Sequence, residues 1–241
     1  MSAVSRVSVP GAGPEGPKVW AVRPPAAGPR NASTLDAAER RRAAALRRPG
    51  DRALFAAAHT ALRQLLGERL DMRPAEVPLT RLPCPGCRGP HGRPAVAGAA
   101  GERLHFSLSH SGGLALIVLA DRPVGVDVEQ LPQPRTAMDA SRALHPVEQR
   151  ELTRLAGSDP AACAVAFARC WTRKEACLKA TGEGLGGAGP RTLLVGTGPR
   201  PRVPAGWWVA DVPVPAGYAA ACALPDSAAT SASASSARQH R

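Results

Sequence analysis

Hydrophobic and polar positions repeat with two periods along this chain, and the changes of period mark its elements. Between Asp51 and Leu70, the apolar residues Leu54, Ala58, Ala61, Leu62, Leu65 and Leu66 recur at helical spacing and predict a helix. Upstream, LDAAERRRAAALRR (35–48) is rich in Ala and Arg, follows Ser33-Thr34 as an N-cap and stops at Pro49-Gly50, so a shorter helix is expected there. The period then shortens. LHFSLS (104–109), LALIVLA (114–120) and VGVDVE (124–129) read as three strands, joined by turns at 111–113 and 121–123, and an antiparallel meander is expected. Region 136–181 returns to helical spacing in pieces broken near Pro146 and between Gly157 and Pro160. Short strands are expected at Trp207 to Asp211 and Tyr218 to Leu224. Residues 1–34 are rich in Pro and Gly, with one short strand at Lys18 to Val22, and read as a loosely held lead-in. Residues 72–102 read mostly as loop, and the final stretch DSAATSASASSARQHR reads as disordered.

Composition confirms a folding chain. It has 241 residues, 44% of them apolar and 21% charged, enough for one large or two small cores. No run approaches the roughly 20 apolar residues of a membrane span, and no signal peptide is read, so a cytoplasmic protein with no membrane partner is expected. Six cysteines in such a chain read as reduced thiols. The formal charge of +12 fits nucleic acid, an anionic membrane or an acidic small molecule equally well. It is unevenly spread: residues 1–100 hold 16 Lys and Arg against 7 Asp and Glu, whereas residues 101–241 hold 15 against 12. The densest patch is Arg40, Arg41, Arg42, Arg47, Arg48 and Arg52. Only Lys18, Lys174 and Lys179 are lysines, and two of these lie five residues apart; a lysine retained in an arginine-biased chain hints at a need for a compact, rotatable ammonium.

Three local patterns could carry chemistry. In GVDVE (125–129), a strand would put Asp127 and Glu129 on one side and Val126 and Val128 in the core, making either a cation platform or a solvated polar face. In WTRKEACLK (171–179), a helix would place Trp171, Glu175 and Lys179 on nearly one face, either as metal ligand and phosphate contact or as an ordinary surface pair. In FSLSHSGG (106–113), Ser109 and His110 precede a glycine turn whose backbone N–H groups could meet an anion; a capped turn with a half-buried histidine is the plain alternative.

Together, in this order, the three patterns resemble the Sfp-type 4′-phosphopantetheinyl transferases. Those proteins show an F-x-x-S-H strand end, a G-[VI]-D-x-E strand and a W-[SCT]-x-K-E-[AS]-x-x-K helix, and Gly92-Arg93-Pro94 is similar to their G-[KR]-P element. The resemblance spans about Leu35 to Leu185. It implies an α+β fold of two pseudo-symmetric halves, each with a small antiparallel sheet and a long helix. The implied division is a flexible lead-in at 1–17, an N-terminal subdomain at 18–121, a C-terminal subdomain at 122–225 and a disordered tail at 226–241. The implied activity is transfer of the 4′-phosphopantetheine of coenzyme A to a serine of an acyl or peptidyl carrier protein, releasing adenosine 3′,5′-bisphosphate, by a monomer that needs Mg²⁺.

By motif position, the resemblance assigns Asp127, Glu129 and Glu175 to the metal. It makes Glu175, directly or through a water, the base toward the carrier serine and sets Lys179 against the phosphates. Ser109 and His110 would hold the coenzyme, with His110 at a phosphate and counted with Glu175 and Lys179 as catalytic. Asp127 and Lys174 join the coenzyme site. Arg93 and one or more of Arg42, Arg48 and Arg52 are expected at the 3′-phosphate, which arginine can grip with two hydrogen bonds. Segment 130–145 offers Leu131, Met138 and Leu144 either to the carrier or to the core. Two other function classes also fit the charge. A metal-dependent nuclease would place its Glu and Lys on one strand, and a basic nucleic-acid-binding protein would leave the carboxylates unexplained and has only eight aromatic residues for stacking. Between these elements, LPCPGCRGPHGRP (82–94) carries Cys84, Cys87 and His91. A zinc site would draw a fourth ligand from His59 or His105, but two thiolates alone favour a metal-free loop. Cys163, Cys170, Cys177 and Cys222 read as small buried residues.

Overall fold

The computed structural model describes residues 3–25, 32–90, 92–184 and 189–226. The N-terminal half contains β1 (Ala3–Val7), β2 (Lys18–Arg23), α1 (Ala37–Ala45), α2 (Pro49–Leu70), β3 (Leu79–Arg81), β4 (Pro94–Val96), β5 (His105–Ser111) and β6 (Leu114–Ala120). The C-terminal half contains β7 (Gly125–Gln130), α3 (Pro134–Ser141), α4 (Pro146–Ser158), α5 (Pro160–Thr181), α6 (Gly189–Thr192), β8 (Trp207–Asp211) and β9 (Tyr218–Pro225). The expected α+β class holds. One half builds a four-stranded antiparallel sheet in the order β1-β2-β6-β5 under α2, and the other a three-stranded sheet in the order β7-β9-β8 under α5. β3 and β4 form a separate two-stranded ribbon.

The two sheets pack on each other and the two 22-residue helices cover the outside. β6 shows why its sequence is apolar throughout. Ala115, Ile117 and Leu119 face α2, while Leu114, Leu116 and Val118 join Val126, Val128, Cys222 and Leu224 between the sheets. A strand buried on both faces has no side for polar residues. Helix α1 is docked differently. Its buried residue is Glu39, whose carboxylate meets Arg63 Nε at 2.7 Å and His59 Nδ1 at 3.0 Å, both on α2. Arg63, fully buried, also reaches Asp36 Oδ2 at 2.7 Å. Asp36, rather than Ser33 or Thr34, caps α1, and it forms a capping box with Glu39.

Two expectations are corrected. The lead-in is not loose throughout: Ala3–Val7 is an edge strand paired with β2 from Ala3↔Arg23 to Val7↔Val19. Val19 and Val22 are fully buried, so β2 lies in the core and its outer backbone groups need partners, which β1 supplies. The three central strands are also not a meander. β5 and β6 form the expected hairpin, but the second edge of β6 is taken by β2, so β7 leaves to pair with β9 in the other sheet. The disordered tail expected from the sequence falls on 227–241, outside the described residues; Asp226 itself is described, and its N–H donates to Gly206 O at 2.8 Å. No helix among the described residues is long and apolar enough to cross a membrane.

Candidate active site

β5 and β7 come from different sheets and are joined by serine side chains. The hydroxyls of Ser107, Ser109 and Ser111 accept from the backbone N–H groups of Val126, Val128 and Gln130 at 3.2, 3.4 and 3.1 Å. Alternation along β5 places these three serines toward β7 and turns His110 the other way, with Phe106 and Leu108, toward α2. Alternation along β7 buries Val126 and Val128 between the sheets and turns Asp127 and Glu129 toward α5. There α5 carries Glu175 and Lys179, one helical turn apart. Gly125 makes this approach possible, because a Cβ there would be driven into the carbonyl oxygen of Ala176 on α5.

The resulting hollow is lined by Leu108, Ser109, His110, Asp127, Glu129, Trp171, Glu175 and Lys179. Lys179 Nζ stands 2.6 Å from Asp127 Oδ1 and 2.9 Å from Ser109 Oγ, and Ser109 Oγ donates to the same Asp127 oxygen at 2.7 Å. Ser111 Oγ donates to Glu129 Oε2 at 2.8 Å. Two buried carboxylate oxygens, Asp127 Oδ2 and Glu175 Oε1, have no hydrogen-bond partner among the described residues. Burial, reinforced by the negative charge of Asp127 and opposed by Lys179, pushes the Glu175 carboxyl up to about 7. Burial also raises Glu129. Unpartnered buried oxygens beside strained acids are what a divalent cation relieves, and hard carboxylate oxygens suit Mg²⁺. The donor set therefore fits a divalent cation in type. Among the described residues, however, no three His, Cys, Asp or Glu side chains are already gathered closely enough to hold one, and the Lys179 ammonium serves as Asp127's counter-ion.

This hollow opens beside a larger cleft of about 670 Å³, with which it shares Leu108, His110 and Lys179. The cleft runs between α1, α2, the β3–β4 ribbon and the end of α5. Its cationic lining is Arg42, Arg81, Arg93 and Lys179, with His59 and His110. Arg93 is half-buried, donates to Ala180 O at 3.2 Å and is lowered by that burial. Desolvation, then the neighbouring His59 and Lys179, hold His110 below the ordinary imidazole range.

Sequence reading and structure diverge on the cations. Of the expected coenzyme-site arginines, Arg93 lines the cleft and Arg48 and Arg52 do not; Arg48 is the N-cap of α2, and Arg52 Nη1 donates to Leu46 O at 3.0 Å. Arg42, one of the three alternatives on the helix pair, does line it. Arg81 and His59 were not expected there. Arg81 pairs with Pro94 across the ribbon, so the G-R-P element was the available signal for it. Lys174 lines neither the cleft nor the hollow. It is fully buried, 2.6 Å from the buried Glu148 Oε2 and bonded to Leu193 O, because it precedes Glu175 by 100° of helical turn and points into the packing of α4. Ser109 lines the hollow rather than the cleft, and its hydroxyl donates to Asp127. Leu144 is fully buried in the core of α3, α4 and α5, and Met138 packs against that core. The four remaining cysteines are buried as expected, and burial pushes the Cys177 thiol up to about 12. His91 lies outside the described residues.

Comparison with known proteins agrees with the resemblance. Residues 123–203, which include the GVDVE strand and the WTRKEACLK helix, match the sequence model of the 4′-phosphopantetheinyl transferase superfamily. The chain is 34% identical over 155 residues to a Synechocystis sp. protein provisionally named as a 4′-phosphopantetheinyl transferase, covering 64% of this chain and 59% of that one. It is 34% identical over 158 residues to the 4′-phosphopantetheinyl transferase HetI of Nostoc sp., covering 64% and 62%. A 4′-phosphopantetheinyl transferase of Bacillus subtilis is 32% identical over 82 residues, covering 34% and 35%. The chain thus spans about three fifths of the length of the first two relatives.

Proposed function

We propose that the chain is a 4′-phosphopantetheinyl transferase of the Sfp type that moves the 4′-phosphopantetheine arm of coenzyme A to a serine of an acyl or peptidyl carrier protein. The observation that carries this reading is the junction at His110 and Lys179, where an arginine-lined cleft large enough for a nucleotide-bearing ligand meets a pair of unpartnered buried carboxylate oxygens. A bisphosphate nucleotide needs cations along its length, and transfer at its pyrophosphate needs a base beside the incoming hydroxyl. The cleft supplies the first and Glu175 the second. The three motifs and the superfamily match support the same reading.

Arg42, Arg81 and Arg93 would hold the 3′-phosphate end, with His110 at a phosphate nearer the reacting centre. Asp127, Glu129 and Glu175 would hold Mg²⁺, which when bound neutralises the pyrophosphate. Ser109 and Lys179 keep Asp127 in place through the hydrogen bonds to its Oδ1. In the transfer, the carrier serine oxygen bonds to the phosphorus bearing the pantetheine arm. The bond to the other phosphate breaks, and adenosine 3′,5′-bisphosphate leaves. The serine proton passes to Glu175, the carboxylate that α5 presents beside Asp127 and Lys179 in the hollow. Lys179 supplies positive charge as the leaving phosphate gains negative charge. The reaction is placed in the cytoplasm and needs one chain.

The test is direct. With coenzyme A, Mg²⁺ and an apo carrier protein, the purified chain should raise the carrier mass by about 340 Da, one phosphopantetheine by formula arithmetic for this transfer. Unmodified carriers of the fatty-acid, polyketide and peptide-synthetase kinds would overturn the reading.

A further inference from the structure

We propose that Cys84 and Cys87 form a redox-active dithiol that closes reversibly to a disulfide by exchange with a low-molecular-weight disulfide. The inference stands apart from the transfer reaction, although the loop is anchored at Arg81 and Arg93, which also line the cleft.

The pair lies in the loop between β3 and β4. Residues 85–87 form a turn closed by Arg88 N–H donating to Cys84 O at 2.8 Å, and Cys84 N–H donates to Gly89 O at 2.8 Å. This hydrogen bond spans i to i+4 and folds the segment from Cys84 to Arg88 into one turn that carries both cysteines. Disulfides join Cα atoms about 4.4–6.8 Å apart. Arg88 takes a left-handed φ of 63°, which lets the chain fold back under the turn. The Cys84 sulfur is held by hydrogen bonds from the N–H groups of Cys87 and Gly86, with the Cys87 thiol beside it.

The two thiols differ in a way that fits two-step exchange. Cys87 is exposed and Cys84 is buried. Hydrogen bonds from the Cys87 and Gly86 N–H groups hold the Cys84 thiol below its ordinary range, whereas burial raises Cys163, Cys170, Cys177 and Cys222. In the first step, the Cys87 thiolate attacks a small disulfide and releases one small thiol, leaving a mixed disulfide. In the second, the Cys84 thiolate attacks Cys87 Sγ and releases the other. Each small disulfide is reduced to two thiols as the protein loses two hydrogens. Both ends of the loop are anchored: Leu82 N–H donates to Arg93 O at 3.0 Å and Arg81 Nη1 donates to Gly92 O at 3.0 Å. The ring can therefore close without unravelling the ribbon.

The reduced full chain is equilibrated with glutathione disulfide, quenched by alkylation and digested with trypsin, which cuts after Arg81 and Arg88 and leaves both cysteines on one peptide. That peptide should lose about 2 Da, the two hydrogens of disulfide formation. It should take up no alkylating agent, and dithiothreitol should restore both thiols. Cys84→Ser should stop at a glutathione adduct on Cys87, and Cys87→Ser should leave Cys84 unmodified. A peptide that stays fully alkylated in glutathione disulfide would overturn the proposal. So would a tightly bound zinc ion that shields both thiols until a chelator removes it.

Discussion

Lys179 Nζ stands 2.6 Å from Asp127 Oδ1, and this ion pair ties the last turns of α5 to the middle of β7. Five residues earlier on the same helix, Lys174 makes an equally short pair with Glu148, but with both side chains fully buried. The two lysines are chemically identical and should differ in what is lost on the same change. Lys179→Met should lower kcat/KM for transfer by about 10²–10³, the usual cost of losing one preorganised charge, with a smaller loss of stability than at Lys174, because Lys179 is partly exposed and Ser109 stays bonded to the buried Asp127. Lys174→Met should destabilise the fold by about 3–5 kcal/mol, because Glu148 would be left buried and unpaired. A Lys174→Met protein with native stability but no affinity for coenzyme A would return that lysine to the coenzyme site.

Asp127 Oδ2 and Glu175 Oε1 are buried without partners among the described residues, so a cation bound there stabilises the native chain alone. Saturating Mg²⁺ should raise the Tm of the wild type. At 100 times Kd the gain is about 2.7 kcal/mol. Asp127→Asn and Glu175→Gln should each remove most of that increment while unfolding cooperatively, and each should abolish transfer. An equal Mg²⁺ increment in both variants would place the metal elsewhere.

Glu39 sets an acid limit on stability. Burial alone would raise its pKa, but His59, the Asp36 N–H and Arg63 outweigh burial and bring it down from 4.5 to about 2. The folded state therefore holds this proton less tightly than the unfolded state. The stability this provides is complete above pH 4.5 and is lost as pH falls toward 2. Glu39→Gln should flatten the pH dependence of unfolding in that window, and should cost about 3 kcal/mol at pH 7 because the buried Arg63 loses a carboxylate partner. A variant whose stability falls with acid as steeply as the wild type would show that other carboxylates set the limit.

Gly125 is needed for close approach rather than for a special backbone angle. A methyl group there meets the Ala176 carbonyl of α5, backbone that cannot rotate away. Gly125→Ala should cost about 3 kcal/mol, the upper end for overpacking. It should also lower transfer by moving β7 away from α5. Circular dichroism melting checks the first effect and the carrier mass assay the second.

How much was legible follows from the range of the forces involved. The helices, most strands and the two carboxylate-bearing segments rest on local periodicity, and they lie close to where hydropathy places them. The meander failed because local pattern gives strands but not their neighbours. LALIVLA shows burial on both faces, yet nothing local says that its second edge belongs to β2 rather than β7. The loose lead-in failed for the same reason, since Ala3–Val7 is ordered only by its partner strand. Arg81 was missed because it enters the cleft through pairing with the segment around Gly92-Arg93-Pro94, eleven or more residues away.

By itself, the sequence determined which residues could do chemistry: a strand that alternates carboxylates with valines, a helix that repeats Glu and Lys at one turn, and a strand with serine at every second place. Tertiary structure decided which of them meet. Ser107, Ser109 and Ser111 became the seam between the two sheets, Lys179 became the partner of Asp127, Lys174 was drawn into the core, and Arg42, Arg81 and Arg93 were selected from a surplus of arginines. The physical reason is that side-chain direction along one element is set by its own geometry. Whether that direction ends in solvent, core or cleft depends on what another element places opposite it.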